Sequence, residues 1–155
     1  MYPRRCLAQG RALLREGAAR SGDPDRPVSV YPAVPTVVSD DPAEARAGAA
    51  WFVSFYLTTM GPLYRRSLAR QGFSREIDAV IGANSPKFTG EVPAAADRLL
   101  EELTAFGGPA EVRERFTQWH AAGADMPLVF LRPNLTAEQI ERTLGAFGPM
   151  LESRQ

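Results

Sequence analysis

The chain has 155 residues, 45% of them hydrophobic, which is enough for one globular domain with its own core and argues against a disordered segment. Eighteen basic residues balance eighteen acidic ones, so no net field draws the protein toward nucleic acid or an anionic membrane. Lys87 is the only lysine, the arginines form no basic run with interleaved aromatics, and a lone cysteine, Cys6, excludes an internal disulfide framework and a cysteine-built metal site.

Residues Arg4 to Arg20 carry Leu7, Leu14 and Ala18 at helical spacing, with Gly10 and Gly17 weakening the pattern, and they end in SGDPDRP, a dense turn signal. This N-terminus lacks the apolar core of a signal peptide, and nowhere do about eighteen apolar residues run together as a membrane span requires. The expectation is a soluble cytoplasmic protein of one domain, residues 1–155.

Val28 to Val38, VSVYPAVPTVV, has the β-branched density of a strand, while Pro32 and Pro35 remove two ladder donors. A strand with an irregular start follows. Asp41, Pro42 and Glu44 then mark a helix start: an Asp cap, proline at the first helical position, and Glu three residues after the cap. Ala45, Ala49, Phe52, Val53, Tyr56 and Met60 hold one face of that helix. Trp51, Phe55 and Leu57 widen it until nearly the whole circumference is apolar, which predicts deep packing and makes the aromatic stripe core.

Gly61 and Pro62 end this helix and begin a shorter one through Arg70, closed by Gly72. Ser74 to Ala83 is the next, capped by Ser74, with Ile77, Val80 and Ile81 inward. ANSPKFTGEV is a loop, and Leu99, Leu100 and Leu103 place a helix over Pro93 to Leu103. A brief TAF segment is then a candidate short strand.

The clearest unit runs from Phe106 to Leu131. Gly107 and Gly108 break the chain, Pro109 opens a helix with Glu111 near its positive end, and Val112, Phe116, Trp119 and Gly123 recur on one face. Gly123 supplies a left-handed C-terminal cap. Met126 to Leu131 is short, apolar and continuous, the pattern of a strand buried on both faces of a parallel sheet. Arg132, Pro133 and Asn134 turn the chain, and Thr136 caps a last helix with Ile140, Leu144 and Phe147 on its apolar face.

Helices alternating with apolar strands predict a helix-rich α/β fold with a parallel sheet. Side chains at the C-terminal ends of the strands are the candidates for function. Arg132 follows a strand directly, and its guanidinium suits an acidic substrate or a phosphate. His120 is the only histidine, but its place near a helix end makes it a partner of the helix dipole. Asp40 and Asp41 form a carboxylate pair better explained as helix capping. Gly107 and Gly108 offer backbone donors at a helix N-terminus, a weak signal without the spacing of a dinucleotide fingerprint or a P-loop. Cys6 is an ordinary helix residue, and no metal site is indicated.

The ordered pair VYPAVPTVVSDDPAEARAGAAWFVSFYLTTM and LTAFGGPAEVRERFTQWHAAGADMPLVFL resembles the C-terminal portion of the luciferase-like monooxygenases. The marks are a strand followed by Ser39, Asp40, Asp41, Pro42 and an Ala-rich helix, then Gly107, Pro109, Glu111 and Val112 before a helix ending in Ala122, Gly123 and Ala124. The resemblance runs from about Arg4 to Met150, and YLTTMGPLYRRSLARQGF is closer to the deazaflavin-using branch. It implies the last strands and helices of a (β/α)8 TIM barrel, in a flavin- or deazaflavin-dependent oxidoreductase using FMN or coenzyme F-420. It also implies that the strands carrying most of the cofactor contacts are absent, so no cofactor-binding or catalytic residue is assigned; Arg132 and Asn134 are the candidate substrate-binding residues. A small-molecule substrate follows, with a homo-oligomer or a partner supplying the missing strands. The alternative is a non-catalytic truncated or split-enzyme protein that works by association.

Overall fold

The computed structural model describes residues 1–149; Met150, where the resemblance ends, lies outside them. A short 3-10 turn at Arg4–Cys6 leads into helix α1, Leu7–Arg20, and an irregular run then precedes strand β1, Ala33–Val38. Pro32 acts as expected: regular pairing begins only after it, and its carbonyl accepts the Leu128 N-H at 2.8 Å. Pro35, inside β1, pairs in register with Phe130.

Helix α2, Pro42–Thr58, starts as the sequence predicts, with the Asp41 carboxylate accepting the Ala43 N-H at 2.8 Å and Pro42 in the first turn. Glu44 does not close a capping box; its carboxylate accepts the Ser39 hydroxyl at 2.6 Å. Helices α3 (Pro62–Arg70) and α4 (Ser74–Ala83) follow, then a 3-10 turn at Ala94–Ala96 and α5, Asp97–Leu103. Phe73, not Ser74, occupies the cap of α4, and its carbonyl accepts the Ile77 N-H. Strand β2 is Ala105–Gly107, α6 is Pro109–Ala121, β3 is Leu128–Phe130 and α7 is Ala137–Gly145.

The three strands form a parallel sheet in the order β2-β1-β3. A barrel wound in chain order would put β2 between β1 and β3; here β1 is central. Alternation along β1 separates the two layers of helices. Val34 and Val38 pack with Val112, Phe116 and Trp119 of α6, and with Leu7 and Ala146, in one core cluster. Val37, on the opposite face, meets Gly48 of α2. A second cluster joins Ala49, Val53 and Leu57 of α2 to Leu68, Phe73, Ile77, Val80, Leu99 and Leu100 of the helical insert. Burial of this apolar surface is the main stabilising term for both layers.

Three expectations about packing are corrected. Strand β3 is not buried on both faces: Leu128 is 41% exposed, because β3 is an edge strand. The aromatic stripe of α2 is not core, since only Phe52 is buried while Trp51, Phe55 and Tyr56 are half-buried and Met60 is exposed. The small residues Ala45, Ala49 and Ala50 take the innermost positions beside Phe52 and Val53. In α7 Thr143 faces inward, as does Ala146 just after the helix, while Leu144 is exposed.

Candidate functional site

A cleft of about 540 Å³ opens at the C-terminal end of β1. Volume in this range suits a small organic molecule. Its floor is Val37 and Val38 of β1, with Gly48 and Trp51 of α2 beside them; the loop Thr89–Val92 forms one wall, and Arg132 with Gln139 of α7 forms another. Because β1 and β3 are parallel, Arg132 lies at the same end of the sheet as Val38.

Each wall is fixed by local chemistry. Gly48 allows α2 to lie directly on β1: a Cβ there would be 2.9 Å from one methyl of Val37 and 3.1 Å from the other. The loop is held by Asn84, which is buried at the end of α4. Its Oδ1 accepts the N-H groups of Thr89 (3.1 Å) and Gly90 (2.9 Å), and its Nδ2 donates to the carbonyls of Glu91 and Val80 at 2.8 Å each. One amide thus engages four backbone groups, three of them in the loop. The α7 wall begins at a complete capping box, in which Thr136 Oγ1 accepts from the Gln139 N-H and Gln139 Oε1 accepts from the Thr136 N-H.

Trp51 is held as a rigid surface. Its ring stacks on Phe55 at 4.9 Å and 9°, meets Phe52 edge-on at 5.7 Å, and has Gly90 against its Cδ1 edge. Phe88 on the loop meets Phe55 edge-on, so the loop and α2 share one aromatic seam. Farther along α2, Tyr56 packs edge-on against Tyr64 at 5.0 Å, and its hydroxyl is pushed above the usual tyrosine pKa by burial and then by Tyr64.

The charges lining the cleft differ in how they are engaged. Arg46 donates to the Val92 carbonyl at 2.9 Å and pairs with Asp97, which ties α2 to the start of α5. Glu44 is held by Ser39. Arg132 has no hydrogen-bond or ion-pair partner among the described residues, although it lines the cleft and is only partly exposed. An unengaged guanidinium in a concave, partly apolar setting is a ready site for a carboxylate or phosphate.

The other sequence candidates are placed elsewhere. Asn134 adopts a left-handed conformation (φ 62°) in the turn after Arg132, is exposed, and does not line the cleft. His120 lies at the end of α6, with Nδ1 3.2 Å from the Ala124 carbonyl. Asp41 is a cap and Asp40 is exposed. The glycine pair offers no free donor at Gly108, because its N-H is bonded to Glu111 Oε2 at 2.8 Å. The same carboxylate fills the space beside Gly107, where a Cβ would come within 2.3 Å of it. Among the described residues, no three His, Cys, Asp or Glu side chains gather as metal ligands, and no helix is long and apolar enough to cross a membrane.

Sequence reasoning found Arg132 from its position after a strand. It missed Trp51, Asn84 and the loop Thr89–Val92. The signal that could have exposed Trp51 was the Ala45, Gly48, Ala49 series, whose small side chains mark the face that lies against the sheet and leave Trp51 off it.

A family model described as luciferase-like monooxygenase matches residues 2–126. The chain belongs to the luciferase-like monooxygenase family. The match takes in β1, α2, the helical insert, β2 and α6, and stops before β3, so the Arg132 and α7 wall of the cleft comes from beyond the matched stretch. No curated protein matches the chain. Family membership supports oxidoreductase or monooxygenase chemistry at the family level, with a cofactor of flavin type.

Proposed function

We propose that the chain is the substrate-side part of a flavin- or deazaflavin-dependent oxidoreductase, related to the last strands of a TIM barrel but with its strands reordered as β2-β1-β3, and with most of the cofactor site outside it. The observation that carries this reading is the cleft at the C-terminal end of the parallel strands, where barrel enzymes do their chemistry. The described residues fit a substrate better than they fit the cofactor. The backbone N-H of Gly108, at the start of α6, is occupied by Glu111, and no cofactor-binding residue is assigned. When bound, FMN or coenzyme F-420 supplies the hydride chemistry, and the protein orients the substrate. In that division of work Arg132 holds an acidic group and Trp51 and Val37 shape the apolar wall. Asn134 sets the turn that carries Arg132.

The missing strands come from a second copy or from a partner. The edge of β3 favours this. Leu128 directs its N-H to Pro32, so the backbone groups of Val129 point away from β1 and are free to pair.

Titration of the purified chain with FMN and, separately, with coenzyme F-420 tests the proposal, with mass in solution followed at the same concentrations. Saturable binding on the order of micromolar by an assembled species, with weak binding by the monomer, is the expected result. Absence of binding in every assembled form overturns the oxidoreductase reading and leaves the non-catalytic association reading.

A further inference from the structure

Two features of the cleft narrow the kind of molecule it takes: a guanidinium without a partner among the described residues and a rigid indole surface. We infer that the cleft takes a flat, largely apolar carboxylic acid as substrate, its carboxylate on Arg132 and its planar body against Trp51. This rests on the cleft being the substrate site of the proposed oxidoreductase, and it adds the chemical class of that substrate.

Charge selects the acid head. Of the two arginines lining the cleft, Arg46 is engaged by Asp97 and the Val92 carbonyl, whereas Arg132 is unengaged among the described residues. Two carboxylates also line it, but they oppose an anion unequally. Glu44 is tied to Ser39, and Glu91 is exposed at the rim, where solvent screens it. A guanidinium with its donors free offers the paired N-H geometry that a carboxylate accepts.

Shape selects the flat body. The Trp51 ring cannot turn freely, being stacked on Phe55, edge-on to Phe52 and abutted by Gly90. A Cβ at position 90 would sit 3.4 Å from Trp51 Cδ1, in ordinary van der Waals contact, so the loop backbone lies along the indole edge. The indole is therefore a fixed plane, and a planar conjugated ligand gains most from it. Val37 and Val38 continue that wall as apolar surface.

Calorimetric titration of the full chain with 2-naphthoate, 2-naphthamide and 2-naphthylmethylamine tests the inference. These probes share one flat body and differ in charge. The expected result is saturable 1:1 binding of the acid, about tenfold tighter than the amide, a factor equivalent to about 1.4 kcal/mol. Arg132→Met should remove that preference while keeping amide binding. Trp51→Leu should weaken acid and amide alike. Equal affinity for acid and amide, tighter binding of the amine, or an unchanged preference in Arg132→Met would overturn it, as would no binding of any probe by a chain whose far-ultraviolet circular dichroism shows it folded. The two proposals separate cleanly. Cofactor binding without acid preference removes the substrate class and leaves the oxidoreductase reading, whereas acid-selective binding without cofactor binding overturns the oxidoreductase reading and leaves the cleft as an acid-binding site only.

Discussion

Gly48 of α2 lies so close to Val37 of β1 that an added methyl would be 2.9 Å from Val37 Cγ1. Valine is short and stiff at χ1, so it cannot swing aside as a long side chain would. Gly48→Ala gains helix propensity worth about 1 kcal/mol but introduces overpacking worth about 1–3 kcal/mol. The expected net effect is a loss of about 1 kcal/mol in urea unfolding. In Val37→Ala, which makes room, the same glycine substitution should be neutral or stabilising.

Gly107 is constrained twice, by a φ of 126° and by the Glu111 carboxylate in the space a side chain would need. Gly107→Ala should cost about 2 kcal/mol or more from backbone strain alone, read from denaturant midpoints. Glu111→Ala should cost about 1 kcal/mol, the usual value of a lost N-terminal cap.

Removing the Asn84 side chain leaves the N-H groups of Thr89 and Gly90 without their acceptor. Asn84→Ala should cost about 1–2 kcal/mol, since the stranded N-H groups are only part-buried and water can reach them. Amide hydrogen exchange should speed up most at Thr89 and Gly90, and 2-naphthoate binding should weaken because one wall of the cleft loosens.

Asp125 joins α1 to the turn before β3: it accepts the Val30 N-H and an Arg11 N-H, each at 2.7 Å. The Val30 hydrogen bond, then the one from Arg11, hold its pKa below the ordinary 3.8. Its folded-state value is depressed, so its contribution is fully present above the ordinary carboxylate value and is lost as pH falls through the lower folded value. Asp125→Asn should be less stable than the parent at pH 7. The gap should close progressively below about pH 4, where the parent carboxylate also becomes neutral.

Much of the local structure was legible in the sequence. Asp41 and Pro42 start α2, Val112, Phe116 and Trp119 bury one face of α6, and Gly123 ends it with a φ of 111°. These signals are local, since a cap or a periodic face is complete within a few turns of chain. The sheet order was not legible. Placing β1 between β2 and β3 depends on partners roughly seventy to ninety-five residues apart, such as Thr36 with Ala105 and Ala33 with Leu128. The stripe on α2 misled for a related reason. Aromatic residues mark an apolar face, but the close approach of Gly48 to Val37 decides which arc meets the sheet. Arg132 was found because its position after a strand is readable from sequence. The loop opposite it was not, because Asn84 shows its role only when Thr89, Gly90 and Glu91 fold back on it.

Asn84 grips the backbone of the cleft loop: apart from the Thr89 hydroxyl, its partners there are main-chain groups. The anchor is therefore indifferent to the side chain at Glu91, which lines the cleft and stands exposed. That position is a natural site for diversification, where substitution can retune which molecules enter while the scaffold beneath it keeps its shape.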